Sequence, residues 1–249
     1  MTHVTEIIET VQTVQTVETD AGTARITWHR AAKAGKAARA AKAETAGKAA
    51  KADRAVKAAG LVLAVSHGAG GGIEARDLRA LAAVLPAHGV TVALVEQPWR
   101  VAGKKLAPAP KTLDVGWRDL WPALAAPGLP VVAGGRSAGA RVACRTATEL
   151  GAHAVLALSF PLHPPGRPER SRAGELLGAG VPTLVVQGGN DPFGRPEEFP
   201  EQARPGSYEL VEVPYGDHGF AVPKRAPVGQ EQALTVITDG VLKWVSSLG

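Results

Sequence analysis

The sequence feature with the clearest chemical meaning is a serine within a Gly-x-Ser-x-Gly pattern at residues 135–139. The pattern follows the apolar run 130–133 and precedes an Ala-rich segment, and a strand, a sharp turn and a helix in this order are typical of a nucleophile elbow. Such a turn holds a serine hydroxyl above the edge of a sheet, and glycines two positions away avoid collisions of a Cβ with neighbouring backbone. Ser137 is therefore the predicted nucleophile.

A serine nucleophile needs a base beside its hydroxyl and a carboxylate that orients the base. Asp191 follows the β-branched apolar run 183–186, and His218 follows the strand-like run 208–213. The chain order serine, aspartate, histidine is the order of an α/β-hydrolase sheet. We predict Asp191 as the acid and His218 as the base. The adjacent Asp217 is the weaker candidate for the acid, because a carboxylate from the next position is sterically awkward.

A glycine-rich turn provides the fourth part of the predicted site. The continuous apolar run 61–65 indicates a strand that is buried on both faces, and it ends in the glycine-rich segment 66–72. Backbone N–H groups there can bind a developing oxyanion together with the N–H of Ala138. The sequence leaves open whether Gly68 or Ala69 points inward, and the segment lacks the spacing of phosphate-binding or dinucleotide-binding glycine motifs.

Four further side chains are predicted substrate contacts because they lie in or beside the loops that surround the serine: His67, Trp99, Arg136 and His163. His67 begins the glycine-rich turn, where a structural hydrogen-bonding role is the competing interpretation. His163 follows the strand-like run 154–159 and would face the same pocket.

Arg136 precedes the predicted nucleophile, and Arg141 lies one turn beyond it. One interpretation is a basic entrance to the active site, which would favour substrates that carry a carboxylate or phosphate distant from the ester. The alternative, which we favour, is that both arginines form structural ion pairs, with Glu169 or Asp119 as partners.

Composition and length indicate one enzyme-sized α/β domain. The 249 residues suit a single large core, and apolar strand-like runs alternate with helical stretches, which indicates a mainly parallel sheet with helices on both faces and a minimal lid. We found no His/Cys cluster and no His-Glu-x-x-His pattern, so neither a metal site nor a cofactor is predicted. A single cysteine and the lack of a leader or long apolar run favour a cytoplasmic protein without membrane contact. The oligomeric state is not determined by the sequence.

Two segments differ from this plan. Residues 1–22 contain a Thr-Val-Gln repeat and are predicted to be a flexible lead-in to the domain 23–249. Residues 30–60 are an Ala/Lys-rich insert with a net charge of +7, whereas the whole chain carries +5. Its basic residues recur every third position and spiral around a helix axis, so a solvated helix is one interpretation. Weak, salt-sensitive binding to a polyanion is the other.

The chain resembles a small, mostly bacterial α/β-hydrolase family related in fold to dienelactone hydrolases, which also includes a testis-expressed member and the hydrolase-like domain of a non-specific-lethal chromatin complex. The resemblance covers about residues 23–244 outside the insert. The segments that carry it are His-Gly-Ala-Gly-Gly (67–71), Glu-Gln-Pro-Trp-Arg (96–100), Gly-Gly-Arg-Ser (134–137), Phe-Pro-Leu-His-Pro-Pro-Gly (160–166), Gln-Gly-Gly-Asn-Asp-Pro-Phe-Gly (187–194) and Gly-Asp-His (216–218).

The resemblance implies the same roles for Ser137, Asp191 and His218, and it implies that the insert hangs from a hairpin of 24–28 with 61–65. The expected activity is hydrolysis of a small ester, thioester or related acyl substrate through an acyl-enzyme on Ser137. Two alternatives remain open. The fold could be a catalytically idle scaffold or binding module, or the same triad could transfer the acyl group to an acceptor other than water.

Overall fold

The computed structural model describes residues 12–31, 60–201 and 208–248. These residues form an eight-stranded sheet in the order β1-β2-β4-β3-β5-β6-β7-β8, in which the pairs from β4 through β3 to β8 are parallel. The strands are β1 (Gln12–Thr19), β2 (Gly22–His29), β3 (Leu61–Ser66), β4 (Val90–Glu96), β5 (Val131–Arg136), β6 (Ala154–Leu158), β7 (Thr183–Gly188) and β8 (Glu209–Val213).

Six α-helices are described alongside these strands, and the main ones cover the sheet on both faces. They are α1 (Arg76–Val84), α2 (Pro98–Val101), α3 (Pro110–Ala125), α4 (Ala138–Thr146), α5 (Ala173–Leu177) and α6 (Gln230–Val245). The sequence predicts a mostly parallel sheet with helices on both faces, as in the α/β-hydrolase fold, and this arrangement confirms it.

Side chains that alternate along the strands divide the core into two layers. In β3, Val62 and Ala64 pack with α3 and α4, whereas Leu63 and Val65 pack with α1 and α6. All four side chains are fully buried. The parallel strands therefore end together at one edge, and the loops after β3, β5, β7 and β8 meet there.

Helix α3 begins earlier than the sequence predicts. The sequence predicts a helix over residues 117–124, but the structure begins it at Pro110. Leu113 thereby extends the buried stripe of Trp117, Leu120 and Leu124 by one turn. Proline fits the first turn of a helix, where its missing N–H costs no hydrogen bond. The short helix α2 was not predicted.

The prediction of a flexible lead-in at 1–22 is wrong for residues 12–22. These residues form β1 and the turn to β2, and β1 pairs with β2 from Gln12↔His29 to Thr19↔Gly22. Alternating β-branched threonine and valine favour a strand, and the Trp28 indole N–H donates to Gln15 Oε1 at 3.0 Å. Residues 1–11 lie outside the described residues.

The predicted hairpin of 24–28 with 61–65 is also wrong. Strand β2 pairs antiparallel with β4, with Ile26 opposite Val95, and β3 lies between β4 and β5. Both β2 and β3 flank β4, so these two strands are not neighbours in the sheet. Residues 32–59 of the basic insert lie outside the described residues, and polyanion binding by the insert stays a prediction. In the part of the chain that is described, no helix combines the length and apolar character needed to cross a membrane.

Candidate active site

Ser137 lies in the turn between β5 and α4, with backbone angles φ 53° and ψ −107°. The glycines of the motif permit this turn because neighbouring backbone leaves no room for side chains. A Cβ on Gly135 would lie 2.6 Å from the carbonyl carbon of Gly139, and a Cβ on Gly139 would lie 2.9 Å from the Ser66 carbonyl oxygen. The predicted strand, turn and helix around Ser137 are therefore present.

The three predicted triad residues form a continuous hydrogen-bond chain. Ser137 Oγ lies 2.9 Å from His218 Nε2, and His218 Nδ1 lies 2.8 Å from Asp191 Oδ2. A carboxylate accepts hydrogen bonds, so Nδ1–H donates to Asp191 and Nε2 is free to accept from the serine hydroxyl. The His218 side chain is 22% exposed, whereas that of Asp191 is fully buried. This geometry places a base in contact with a serine hydroxyl that is open to solvent on one side.

Buried donors hold the Asp191 carboxylate. The Gln187 side-chain amide donates to Asp191 Oδ2 at 2.9 Å and to the Gly194 carbonyl at 2.8 Å. The Phe193 backbone N–H donates to Oδ1 at 2.8 Å. Each carboxylate oxygen thus has a donor, which stabilises the buried ionised form. Gln187 and Phe193 were not singled out by the sequence analysis, although both belong to the segment that ends β7.

The alternative acid, Asp217, is engaged elsewhere. Its Oδ1 accepts the backbone N–H groups of Gly219 at 2.7 Å and Ala221 at 2.8 Å, which closes the turn around His218. The structure therefore brings Asp191, not Asp217, to the imidazole.

The glycine-rich turn lies against the serine. A Cβ on Gly68 would be 3.2 Å from Ser137 Cβ, so Gly68 closely approaches the nucleophile, whereas Ala69 is exposed. Ala138 is the first residue of α4, and the N–H groups of a first helical turn have no partner within the helix. Gly68 and Ala138 therefore both lie close to Ser137, and their role as oxyanion donors stays a prediction.

Both ring nitrogens of His67 form hydrogen bonds with the backbone. The Gln97 N–H donates to Nε2 at 3.1 Å, so Nδ1 carries the proton and donates to the Gly68 carbonyl at 2.9 Å. Burial is the main cause that lowers the pKa of His67, which keeps the ring neutral. Both ring nitrogens therefore hold the turn that contains Gly68, which agrees with the competing structural interpretation, and a substrate contact of His67 stays a prediction.

Trp99 is buried on α2, and its ring lies 5.4 Å from that of His67 in an edge-on arrangement. It also lines a cavity of about 450 Å³ together with Gln97, Pro98 and Leu113. Residues of the hydrogen-bonded triad are not part of the cavity wall. The structure thus places Trp99 between the turn at His67 and this cavity, and a substrate contact of Trp99 stays a prediction.

Both arginines near the elbow form ion pairs, but with partners that differ from those predicted. Arg136 Nε lies 3.5 Å from Asp77 Oδ2, and its Nη2 donates to the His218 carbonyl at 2.6 Å. Arg141 donates to both carboxylate oxygens of Glu175, at 2.8 and 2.6 Å. The predicted partners Glu169 and Asp119 are replaced because helices α1 and α5 bring Asp77 and Glu175 closer. The contacts of Arg136 correct its predicted role as a substrate contact.

His163 forms a further contact that the sequence analysis did not predict. Its Nδ1 lies 2.9 Å from the Pro164 carbonyl, and its Nε2 lies 2.7 Å from Glu198 Oε2. The hydrogen bond to the Pro164 carbonyl is the main cause that raises the pKa of His163, and the contact with Glu198 raises this pKa further. Both nitrogens face acceptors within the protein, so His163 forms an ion pair with Glu198, and its substrate contact stays a prediction. Within the described ranges no cluster of three or more His, Cys, Asp or Glu side chains could hold a metal ion.

Comparison with known proteins agrees with this fold. Residues 57–246 match a family model described as an alpha/beta hydrolase domain, and the chain belongs to this family. Among curated proteins no relative matches the chain.

Solved structures similar to this chain include several α/β hydrolases. A serine hydrolase without a lid from Xanthomonas campestris is 17% identical with a TM-score of 0.66, over 95% of this chain and 96% of that one. A dienelactone hydrolase from Anabaena variabilis is 20% identical with a TM-score of 0.65, over 94% and 96% of the two chains. The esterase domain of a Rhodothermus marinus protein is 13% identical with a TM-score of 0.62, over 96% and 100%. At these identities the similarity shows the fold.

Proposed function

We propose that this protein is a serine hydrolase that cleaves a small ester, thioester or related acyl compound. The observation that carries the proposal is the hydrogen-bond chain from Ser137 Oγ through the His218 ring to Asp191. Hydroxyl, imidazole and carboxylate in this order are what acyl transfer through a serine requires.

In the proposed reaction His218 Nε2 takes the proton of Ser137 as its oxygen attacks the substrate carbonyl. Asp191 holds the Nδ1–H tautomer and stabilises the imidazolium. Collapse of the tetrahedral intermediate transfers the proton from His218 to the leaving group, and an acyl-serine remains. Water, deprotonated by the same nitrogen, then releases the acid and restores the serine.

The oxyanion of each tetrahedral intermediate would lie between the amides of Ala138 and the turn at Gly68. The proximity of Gly68 to Ser137 supports its amide as a donor over that of the exposed Ala69. A donor of this kind typically contributes about 3 kcal/mol to stabilisation of the transition state.

Two alternative functions are compatible with the same fold: a catalytically idle scaffold and an acyltransferase. Assays with p-nitrophenyl acetate distinguish them from a hydrolase. A catalytically idle scaffold would not release p-nitrophenolate from p-nitrophenyl acetate, whereas a hydrolase would do so with a rate that Ser137→Ala abolishes. A transferase would divert the acetyl group to an added alcohol or amine, which product analysis by mass spectrometry detects. We expect acetate as the product and loss of turnover in Ser137→Ala. Equal turnover by both proteins would overturn the proposal.

A further inference from the structure

Arg136 contacts three parts of the molecule whose relative positions matter for the proposed reaction. It is the last residue of β5, directly before Ser137, and its side chain is 15% exposed. Its Nη2 donates to the His218 carbonyl at 2.6 Å, and its Nε lies 3.5 Å from Asp77 Oδ2 on helix α1. One guanidinium thus bridges the nucleophile strand, the base-bearing loop and the helix that follows the glycine-rich turn.

The loop that carries His218 follows the edge strand of the sheet, so a contact with a central strand would help to fix its position. It follows β8, the edge strand, whereas Arg136 ends β5, which lies three strands away. The hydrogen bond from Arg136 therefore fixes the edge loop to the centre of the sheet at the residue that bears the base.

Asp77 is fully buried at the start of α1. Burial raises the pKa of its carboxyl, and the Arg136 guanidinium is the strongest opposing influence. A buried carboxylate without a cation is strongly destabilising, so each group stabilises the other's charge. Asp77 also balances the positive charge of the Arg136 guanidinium, which contacts the backbone of the loop that carries His218.

We propose that Asp77 and Arg136 are positioning residues, which hold His218 at the distance from Ser137 that proton transfer requires. This inference rests on the proposed function. It differs from recognition of an acidic substrate by Arg136, to which the neighbouring cavity of about 360 Å³, lined also by Glu74 and Arg76, would otherwise point.

The test is the second-order rate of Ser137 labelling by a neutral alkyl fluorophosphonate, a probe with no acidic group for an arginine to recognise. Arg136→Met combined with Asp77→Asn removes both charges without leaving a buried ion. We expect labelling at least tenfold slower than in the wild type, with a partial recovery in Arg136→Lys, which keeps the charge but not the planar fork.

A matched control is Arg145→Met with Asp114→Asn. Arg145 makes a similar half-buried pair, with Nη2 2.6 Å from Asp114 Oδ1, and its other partner is Glu175. We expect the control to label within twofold of the wild type. Melting temperatures and near-UV circular dichroism ensure that rates are compared between folded proteins.

Asp77→Asn alone provides a second readout if the double variant does not fold. It leaves the Arg136 guanidinium without its buried carboxylate partner, with Glu74 and Arg76 as the other charged groups at the cavity. We expect this variant to label more slowly than the wild type, because Arg136 loses the partner that holds it against the loop of His218.

The outcomes separate this inference from the proposed function. A wild type that takes no label would overturn both. A labelled wild type together with equally fast labelling of the folded double variant, or of the folded Asp77→Asn variant, would overturn the positioning role alone.

Discussion

The Phe193 ring lies against the imidazole of His218, with centroids 4.2 Å apart and planes inclined by 31°. The backbone N–H of Phe193 also donates to Asp191 Oδ1 at 2.8 Å. One residue therefore contacts both His218 and Asp191, and its ring packs against the imidazole in the orientation in which Nε2 faces Ser137.

Phe193→Leu should lower kcat about 2-fold to 10-fold, which corresponds to the ~0.5–1.5 kcal/mol typical of an aromatic pair beyond its buried area. Leucine keeps the backbone N–H and much of the bulk, so only the ring contact is lost. Steady-state hydrolysis of p-nitrophenyl acetate separates the effect on kcat from that on KM. An unchanged kcat would show that Phe193 does not orient the imidazole.

Asp191→Asn should reduce kcat by about 10⁴-fold, because an amide in place of the carboxylate favours the wrong tautomer of the imidazole. Asp217→Asn is the matched control, since Asp217 is adjacent to His218 but binds only the turn, and an amide oxygen can still accept those N–H groups. Hydrolysis rates of both variants check the assignment. Equal losses would contradict Asp191 as the sole orienting acid.

Gly139→Ala should destabilise the protein by more than about 2 kcal/mol, because the added methyl meets backbone that cannot move independently. Its nearest contacts are the Ser66 side chain and carbonyl, the latter 2.9 Å from the new Cβ. Gly174→Ala on helix α5 is the control: its Cβ meets nothing within 4 Å, and alanine favours a helix by ~1 kcal/mol. Urea unfolding should show a lower free energy of unfolding for Gly139→Ala and a higher one for Gly174→Ala, each relative to the wild type.

Cys144 should be inert in the native protein. Its side chain is buried, and burial is the main cause that raises the pKa of the thiol to about 12. Since the thiolate is the reactive form, Ellman's reagent at pH 8 should report no thiol before unfolding and one thiol per chain in guanidinium chloride. A fast native reaction would contradict the burial of Cys144.

The pair of His163 and Glu198 should stabilise the fold most in mildly acidic solution. The contacts with Pro164 and Glu198 raise the pKa of His163, so its contribution is complete below the unfolded pKa of 6.5 and is lost as the pH rises through the folded pKa. The hydrogen bond from the Arg195 N–H is the main cause that lowers the pKa of Glu198, and His163 lowers it further. The contribution of Glu198 to stability is therefore lost as the pH falls through its folded pKa.

His163→Gln should consequently reduce the free energy of unfolding more at pH 6 than at pH 9. Denaturant unfolding of the wild type and the variant at both pH values measures the difference. An effect that is equal at the two pH values would contradict a charged His163.

The sequence predicts those parts of the site that depend on local pattern. The glycines of 135–139 define the elbow, and apolar runs locate the strands whose carboxyl ends share one edge. Ser137, Asp191 and His218 could therefore be predicted to meet, and the structure places them within hydrogen-bonding distance. Their catalytic roles stay a prediction.

The contacts that differ from the predictions depend on residues far apart in the chain. Arg136 pairs with Asp77 at the start of α1, far away in the chain, and no local pattern indicates that pairing. His67 is held by the Gln97 N–H from the loop after the neighbouring strand β4. For the same reason, the pairing of β2 with β4 instead of β3 could not be inferred from apolar runs alone.

Intact-mass analysis after treatment with a small fluorophosphonate tests the central claim, an activated Ser137, most directly. We predict one phosphonyl adduct on the wild type, none on Ser137→Ala, and slow labelling of His218→Gln. No adduct on folded wild type, or an adduct that persists in Ser137→Ala, would contradict the assignment of Ser137 as the nucleophile.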